Sequence, residues 1–431
     1  MMNDLAELYQ NEGKYTQAEP IITKVLEIQR RTLGQKHPNT LKTMVALAAL
    51  YRNQGKYAQA EPIYTGILEI QRRVLGEEHP DRLNTMNELG LLYHYQGKYA
   101  QAEPLFTKFQ QACQRVLGEE HPDTLTGMNN LALLYHYQGK YAQAKSLYTK
   151  VLEIRRRLLG EEHPKTITSM INLAALYLTE GESTEAEPLY CRALQTSRRV
   201  LGEEHHLTLS SMSHLAELYQ HQRKYEQAEI LFSKALEISL RVLGEAHPQT
   251  LNGVDHLAEC YMSQHKYAHA EPLLTKLLTV RRHVLGEEHP GTVYASASLG
   301  ELWLEQQRYA EAESLLRTTL NHFATGTTPD HWMRYHSQSM LGASLAGQKK
   351  YAEAEPLLIA GYKGMRQREN IIPAYNRPKL EQAGERIVQL YQDWGKPEKA
   401  AEWRVNSIGA APPTRSQQVS RDLCGRYQFN F

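Results

Sequence analysis

The sequence has few cysteines and almost no net charge, and both features exclude some classes of protein. Its four cysteines, Cys113, Cys191, Cys260 and Cys424, lie far apart and form no Cys-x-x-Cys spacing. We therefore expect free thiols in a reducing compartment, with neither a disulfide framework nor a zinc site. The formal net charge of +1 gives no overall field that would attract nucleic acid or an anionic membrane.

The chain also lacks the segments that direct proteins into or through membranes. No apolar run approaches the roughly 20 residues that a spanning helix needs. The N-terminal stretch MMNDLAELYQ has neither the basic region nor the apolar region of a signal peptide. These observations predict a cytoplasmic protein, with no nucleic acid and no membrane among its partners.

Catalytic and cofactor-binding motifs are absent as well. The recurring Gly-Lys pairs lack the earlier glycine of a phosphate-binding loop, and Gly342-Ala343-Ser344 does not continue into a nucleophile elbow. Loop histidines recur one repeat apart, without the spacing that places two of them on one zinc ion, so we expect a structural role for them. They are His37, His79, His121, His163, His205, His247 and His289. The sequence predicts no catalytic residue, no cofactor and no metal, and we do not expect an enzyme.

One block of sequence repeats along nearly the whole chain. Gly-Lys-Tyr occurs at residues 13–15, 55–57, 97–99 and 139–141, always 42 residues apart. The same phase continues with changed residues to Lys349-Lys350-Tyr351, which gives nine copies, and a weaker tenth copy begins four residues late at Gly395. Self-similarity at a fixed period of this length indicates a repeat protein rather than several ordinary domains.

Each repeat contains the pattern of two amphipathic helices. The first is predicted from about Pro80 to Gln96, because proline suits the first helical position and Gly97 suits the C-terminal end. The second is predicted from about Tyr99 to Leu117, with Gly118 ending it. Apolar residues recur at three-and-four spacing in both, and no strand pattern competes.

A single helix hairpin cannot bury both of its apolar faces, but stacking on the next hairpin covers them. The sequence therefore predicts an all-α fold, a right-handed α-solenoid of stacked antiparallel helix hairpins with about nine to ten repeats. We expect the solenoid to occupy residues 1–406, with a truncated first repeat and a degenerate last one. Residues 407–431 are rich in Pro, Ser and Gln and lack periodicity, which predicts a disordered tail.

The repeated residues resemble a known signature. Leu131-Ala132, Tyr135, Gly139-Lys140-Tyr141, Ala144 and Tyr148 are similar to the tetratricopeptide repeat (TPR) pattern, whose usual period is about 34 residues. The longer period here, with Leu-Gly-Glu-Glu-His-Pro segments, resembles the kinesin light chain subclass over about residues 3–405. The resemblance implies a scaffold for partner proteins, and it specifies the fold more closely than the partner.

Two features bear on the kind of scaffold. The sequence has no sustained heptad run like the coiled coil with which kinesin light chains dock onto the motor chain. Residues 341–403 resemble the closing segment of TPR arrays attached to bacterial serine/threonine protein kinases, although no kinase motif is present. This second resemblance implies a stand-alone array of that type, or one separated from a protein kinase encoded nearby.

Polar residues on the first helices are the best functional candidates, because the TPR resemblance implies that these helices line a concave groove. Amide side chains there can hydrogen-bond an extended peptide backbone. Tyr95 and Tyr137 beside them could add apolar contact. The candidate groove residues are Asn87, His94, Asn129, His136, Asn172, Ser213, Gln220 and Asp255.

Charged residues at fixed repeat positions allow simpler interpretations. The turn lysines are interpreted as exposed surface residues. Arginines near the ends of the second helices, such as Arg115 and Arg157, either complement the helix dipole and pair with loops of the Glu77-Glu78 type, or form a ladder for an acidic partner segment.

The leading hypothesis is a protein–protein interaction scaffold that binds peptide segments of partners in the groove. The alternatives are the docking or sensory TPR part of a bacterial serine/threonine kinase signalling system, and a kinesin light chain-like cargo adaptor.

Overall fold

The computed structural model describes residues 9–10, 14–325, 331–369, 372 and 376–408. Within these ranges the chain forms 19 helices and no strand. The first helices of the repeats are α2 (Pro38–Asn53), α4 (Pro80–Tyr95), α6 (Pro122–Tyr137), α8 (Pro164–Glu180), α10 (His206–His221), α12 (Pro248–Ser263), α14 (Pro290–Glu305), α16 (Trp332–Gly347) and α18 (Arg377–Asp393). The second helices are α1 (Tyr15–Thr32), α3 (Tyr57–Val74), α5 (Tyr99–Leu117), α7 (Tyr141–Leu159), α9 (Ser183–Leu201), α11 (Tyr225–Val242), α13 (Tyr267–Leu285), α15 (Tyr309–Thr325), α17 (Tyr351–Gln367) and α19 (Pro397–Ile408).

Contacts divide the chain into two compact bodies. The N-terminal body comprises Met1–Leu173 and Leu243–Pro248, and the C-terminal body comprises Ala174–Val242 and Gln249–Phe431. Inside each body, consecutive helices pack as hairpins that stack on the next hairpin. This confirms the predicted fold class, an all-α solenoid. The predicted tail, from residue 409 onward, and Cys424 lie outside the described residues.

The loop histidines begin the first helices. In His37, His79, His121, His163, His205 and His289, the ring Nδ1 accepts the backbone N–H of the residue two positions later, at 3.0–3.2 Å. Each of these bonds satisfies one N–H that a helix start leaves without a partner. The predicted structural role is confirmed, and its physical form is a helix cap. His331 caps α16 in the same way at 3.3 Å, although it lies outside the Glu-Glu-His pattern.

Apolar packing joins each second helix to the first helix of the next repeat. Ala102 and Phe106 of α5 form one cluster with Leu131 and Leu134 of α6, and all four are buried. Gly90 of α4 lies so close to Phe106 that a Cβ atom there would approach the ring to 2.7 Å. In the C-terminal body, Ala270 and Leu274 of α13 pack on Leu299 and Leu302 of α14 in the same manner. The core is therefore a series of interfaces between neighbours.

A glutamate on each of several second helices is held by the turn of the following repeat. Glu103 accepts hydrogen bonds from Lys140 Nζ at 2.9 Å and from Gln138 Nε2 at 2.9 Å. Burial alone would raise the pKa of Glu103, but these bonds outweigh burial and hold the pKa below its usual value. The clasp glutamates are those that accept a hydrogen bond from the next repeat in this way: Glu19, Glu61, Glu103, Glu187, Glu229, Glu271, Glu313 and Glu355.

The turn lysines are therefore contacts between repeats and not simple surface residues. Lys98 Nζ lies 3.2 Å from Glu61 and also stands 5.5 Å above the Tyr93 ring of its own repeat. Lys140 stands 5.0 Å above the Tyr135 ring in the same way. Because these lysines remain about two-fifths exposed, each pair contributes only a few tenths of a kcal/mol. Their repetition, rather than their individual strength, makes them structural.

The turn between the two helices of a repeat needs a left-handed backbone. Gly55, Gly97 and Gly139 have φ near 70° there, while Arg223, His265, Gln307 and Lys349 adopt φ of 57–63° with a full side chain. A non-glycine residue in this region costs about 1–2 kcal/mol. The later turns therefore carry strain that the earlier turns avoid.

We expect Gly97→Ala to lower the free energy of unfolding by about 1 kcal/mol, since nothing surrounds an added Cβ and only the backbone resists. Gln307 is exposed and lies in the equivalent turn of a later repeat. Gln307→Gly should raise the free energy of unfolding by about 0.5 kcal/mol, because glycine relieves the backbone strain at some entropic cost. Urea unfolding curves measure both changes. An unchanged midpoint for Gly97→Ala would contradict the strain argument.

Candidate functional site

Asparagines on neighbouring first helices of the N-terminal body bond to one another. Asn130 Nδ2 donates to Asn87 Oδ1 at 2.9 Å, and Asn172 Nδ2 donates to Asn129 Oδ1 at 2.8 Å. We call these four residues the amide ladder. Because each pair joins two repeats, each amide has a fixed orientation. Asn87 and Asn129 are buried, at 9% and 7% exposed, while Asn130 and Asn172 are half-buried.

Aromatic and imidazole rings follow the ladder at the ends of α4 and α6. The His94 ring packs edge-on against Tyr137 with centroids 4.8 Å apart, and Tyr99 stacks on Tyr137 at 6.4 Å. His136 stacks on Tyr137 at 5.6 Å. His94 is only 2% exposed, whereas Tyr95 and Tyr137 are half-buried. The surface that a ligand could reach here is therefore largely tyrosine, with His94 beneath it.

Burial changes the chemistry of both histidines. It lowers the pKa of His94 to about 4, with a further contribution from His136, and lowers the pKa of His136 to about 4. Both rings are consequently neutral at pH 7. They act as packing groups and hydrogen-bonding groups, not as cations.

An ion pair that the sequence did not indicate lies beside the ladder. Arg52 Nη1 is 2.6 Å from Glu88 Oε2, and the guanidinium stands 5.7 Å above the Tyr95 ring. Burial opposes the charged form of Arg52, but Glu88 outweighs it and the pKa is raised. Alignment of the repeats contains a sequence signal for this pair, because charged residues replace neutral ones there: Arg52 holds the repeat position of His94, and Glu88 holds that of Asn130.

The candidate groove residues of the C-terminal body are engaged with their own chain. Ser213 Oγ donates to the Leu209 carbonyl at 3.2 Å, and Gln220 Nε2 donates to Ser263 Oγ at 3.2 Å. Asp255 Oδ2 lies 3.4 Å from Arg281 Nη1. The eight candidates thus lie on the first helices, and the asparagines of the ladder as well as Ser213, Gln220 and Asp255 all contact groups of their own chain. Their role in binding stays a prediction.

Comparison with known proteins identifies the family. A sequence profile of the tetratricopeptide repeat matches residues 1–65, 41–109, 95–157, 128–199, 181–241, 207–253 and 249–324. The chain belongs to the tetratricopeptide repeat family. No curated protein sequence matches the TPR chain.

Three solved structures illustrate the likeness. The nearly identical TPR-like repeats assigned to a kinesin light chain of Podosopora anserina are 29% identical, with 48% of this TPR chain and 97% of that chain covered and a TM-score of 0.41. BtubC (BKLC) from P. vanneervenii is 21% identical, with 57% and 92% covered and a TM-score of 0.40. A Rap protein complexed with competence and sporulation factor is 15% identical, with 85% and 100% covered and a TM-score of 0.50.

Arginines near the ends of the second helices of the TPR repeats form ion pairs within the chain, which is one of the two interpretations drawn from the sequence. Arg115 pairs with Glu78, Arg157 Nη2 lies 2.5 Å from Glu120, and Arg241 Nη2 lies 2.8 Å from Glu204. These arginines pair with loop glutamates of the preceding repeat, as the simpler interpretation predicted. Exposed pairs of this kind contribute little to stability.

Within the described part of the TPR chain, no group of three or more His, Cys, Asp or Glu could hold a metal ion. No described helix is long and apolar enough to cross a membrane. Cys113, Cys191 and Cys260 are free thiols.

The buried histidines predict a pH dependence of TPR stability. Since the pKa of His94 falls from about 6.5 when unfolded to about 4 when folded, the unfolded chain binds the proton first. The free energy of unfolding should therefore fall between pH 7 and pH 4, by up to about 3 kcal/mol from His94. His94→Gln should flatten this slope in urea titrations at several pH values. The same slope in wild type and variant would contradict the assignment, and His283→Gln, at an exposed histidine, is the control.

Proposed function

We propose that this TPR array is a non-catalytic protein–protein interaction scaffold that binds peptide segments of partner proteins along its first helices. The observation that carries the proposal is the amide ladder, whose side chains are already ordered before any ligand arrives. An extended peptide presents alternating N–H and C=O groups, and carboxamides can serve both. Pre-ordered side chains lose little entropy on binding, which favours affinity.

The tyrosines beside the ladder supply the second element of the proposal. Tyr95 and Tyr137 are half-buried, and the Arg52 guanidinium, which pairs with Glu88, lies over the Tyr95 ring. Rigid aromatic side chains contribute large contact areas at low entropic cost, and they are frequent energetic centres of interfaces. We therefore place the energetic centre of binding on α4 and α6 of the N-terminal body.

General properties of the chain agree with this role. The near-zero net charge disfavours nucleic acid and anionic membranes as partners, and we propose a cytoplasmic location. A Rap protein, which shares the fold, was solved in complex with competence and sporulation factor. That example supports the proposal by analogy of fold alone.

The full-length chain, immobilised, tests the proposal by affinity capture with identification of the bound proteins. We expect Asn87→Ala, Asn129→Ala and His136→Ala together to lower recovery of the specific partner at least tenfold, as the loss of about 1.4 kcal/mol predicts. Arg157→Ala, on an exposed second-helix end, is the matched control and should retain the partner. Unchanged recovery by the triple variant, with its helical content intact, would refute the ladder as the binding surface.

The same capture separates the alternatives. A protein kinase among the specific partners would favour the docking role suggested by residues 341–403, and a motor heavy chain would favour the cargo-adaptor role. Unrelated partners that depend on the ladder would favour the general scaffold.

A further inference from the structure

Three second helices of the N-terminal body end in apolar residues that face solvent. Val74 ends α3, Val116 and Leu117 end α5, and Leu158 and Leu159 end α7. Each of these residues is 38–54% exposed. We call the five residues the apolar ridge. Soluble monomers rarely expose apolar residues in contiguous groups, so such a group indicates a contact surface.

The three helix ends lie side by side, because ion pairs join each helix to the loop of the repeat before it. Arg115, next to Val116 on α5, pairs with Glu78 in the loop after α3. Arg157, next to Leu158 on α7, lies 2.5 Å from Glu120 in the loop after α5. The ridge residues therefore follow one another along one edge of the N-terminal body.

Neither burial nor helix propensity explains the ridge. A valine in the last turn of a helix is slightly unfavourable there, since its branched side chain is restricted. The sequence nevertheless places Val74, Val116 and Leu158 at the same position of three successive repeats. In α1 that position is held by the polar Thr32, next to an exposed Leu33.

The charges around the ridge balance one another. Lys108 Nζ lies 2.9 Å from Glu77, and Lys150 pairs with Glu119. Together with the two arginine pairs, each of these two repeats contributes two acidic and two basic groups beside the ridge. An apolar centre with a polar rim is the usual anatomy of a protein interface. Because the rim carries both signs equally, it suits a partner of equally mixed charge.

A cleft at one end of the ridge matches the leucines at the other end. The cleft opens beside Val74 and has a volume of about 290 Å³. Its apolar walls include Leu41 and Val45, and its polar walls include Lys42 and Asp81. A cavity of about 150 Å³ already holds a benzene molecule, so an aliphatic side chain fits. At the other end of the ridge, α7 presents two exposed leucines.

We propose that the apolar ridge joins two copies of this chain in an antiparallel homodimer. A two-fold axis at Val116 places α3 of one copy opposite α7 of the other. Leu158 and Leu159 of each copy then meet the cleft beside Val74 of the other copy. A two-fold interface uses the same face twice, so that face must be complementary to itself. The cleft, the leucines and the balanced charges meet this requirement.

This inference goes beyond the proposed function and does not depend on it. The ridge lies at the ends of second helices, whereas the amide ladder lies on first helices. A dimer therefore carries two ladders, and a partner with two binding segments binds it more tightly than either segment alone.

Sedimentation velocity of the full-length chain tests the self-association. From ~1 µM to ~200 µM the wild type should pass from monomer to dimer, since a small interface gives moderate affinity. Val116→Glu sets two like charges against each other at the axis and should weaken the dimer about a hundredfold or more. Ile230→Glu, at a residue of α11 that is 67% exposed and outside the ridge, is the matched control and should leave the dimer unchanged. A wild type that stays monomeric over this range would overturn the proposal.

A mixture of two variants tests the position of the axis. Val116→Glu and Val116→Lys should each be monomeric alone, because both copies then carry the same charge at the axis. Mixed in equal amounts they should form a heterodimer, since opposite charges face each other. A mixture that stays monomeric where the wild type dimerises would overturn the two-fold arrangement.

Partner capture separates this proposal from another occupant of the ridge and from the proposed function. Loss of a captured protein through Val116→Glu, with a monomeric wild type, would assign the ridge to that protein and overturn the homodimer. Dimerisation without ladder-dependent capture would support the homodimer and remove the peptide-binding role.

Discussion

The structure depends on a carboxylate that several second helices offer to the repeat that follows them. In Glu103 that carboxylate accepts from Lys140 and Gln138 of the next repeat, and Glu313 accepts from Lys350 and Gln348 in the same geometry. Apolar packing alone resists sliding of one hairpin over another poorly, because its contacts are not directional. The hydrogen bonds at the clasp glutamates are directional, so together they favour one orientation of a hairpin on the next.

Much of this architecture follows from the sequence. The 42-residue period, Pro80 and Gly97 located the two helices of a repeat almost to the residue, because start and stop signals are local. The histidine caps, the clasp contacts and the asparagine pairs were not predicted. Each depends on side-chain direction or on a partner about 35 to 43 residues away, and neither follows from composition or spacing.

The candidate site was predicted only in outline, because its details also depend on side chains that come from another repeat. The polar candidates lie on the first helices, and that they form one binding surface stays a prediction. Their burial could not be foreseen, since it depends on rings such as Tyr137 that come from the next repeat. Copies of the repeat also differ where the contact is the same: Gln71, Arg155 and Arg281 hold one repeat position, and each donates to a backbone carbonyl of the following first helix.

Native-state hydrogen exchange of Glu103→Ala tests most directly whether the clasp couples one repeat to the next. Glu103 lies on α5, while its donors lie at the end of α6 and in the turn after it. Coupling predicts faster exchange in both α5 and α6, and little change in Glu153→Ala, at an exposed glutamate of α7. Faster exchange confined to α5, or an equal effect of both substitutions, would contradict the account.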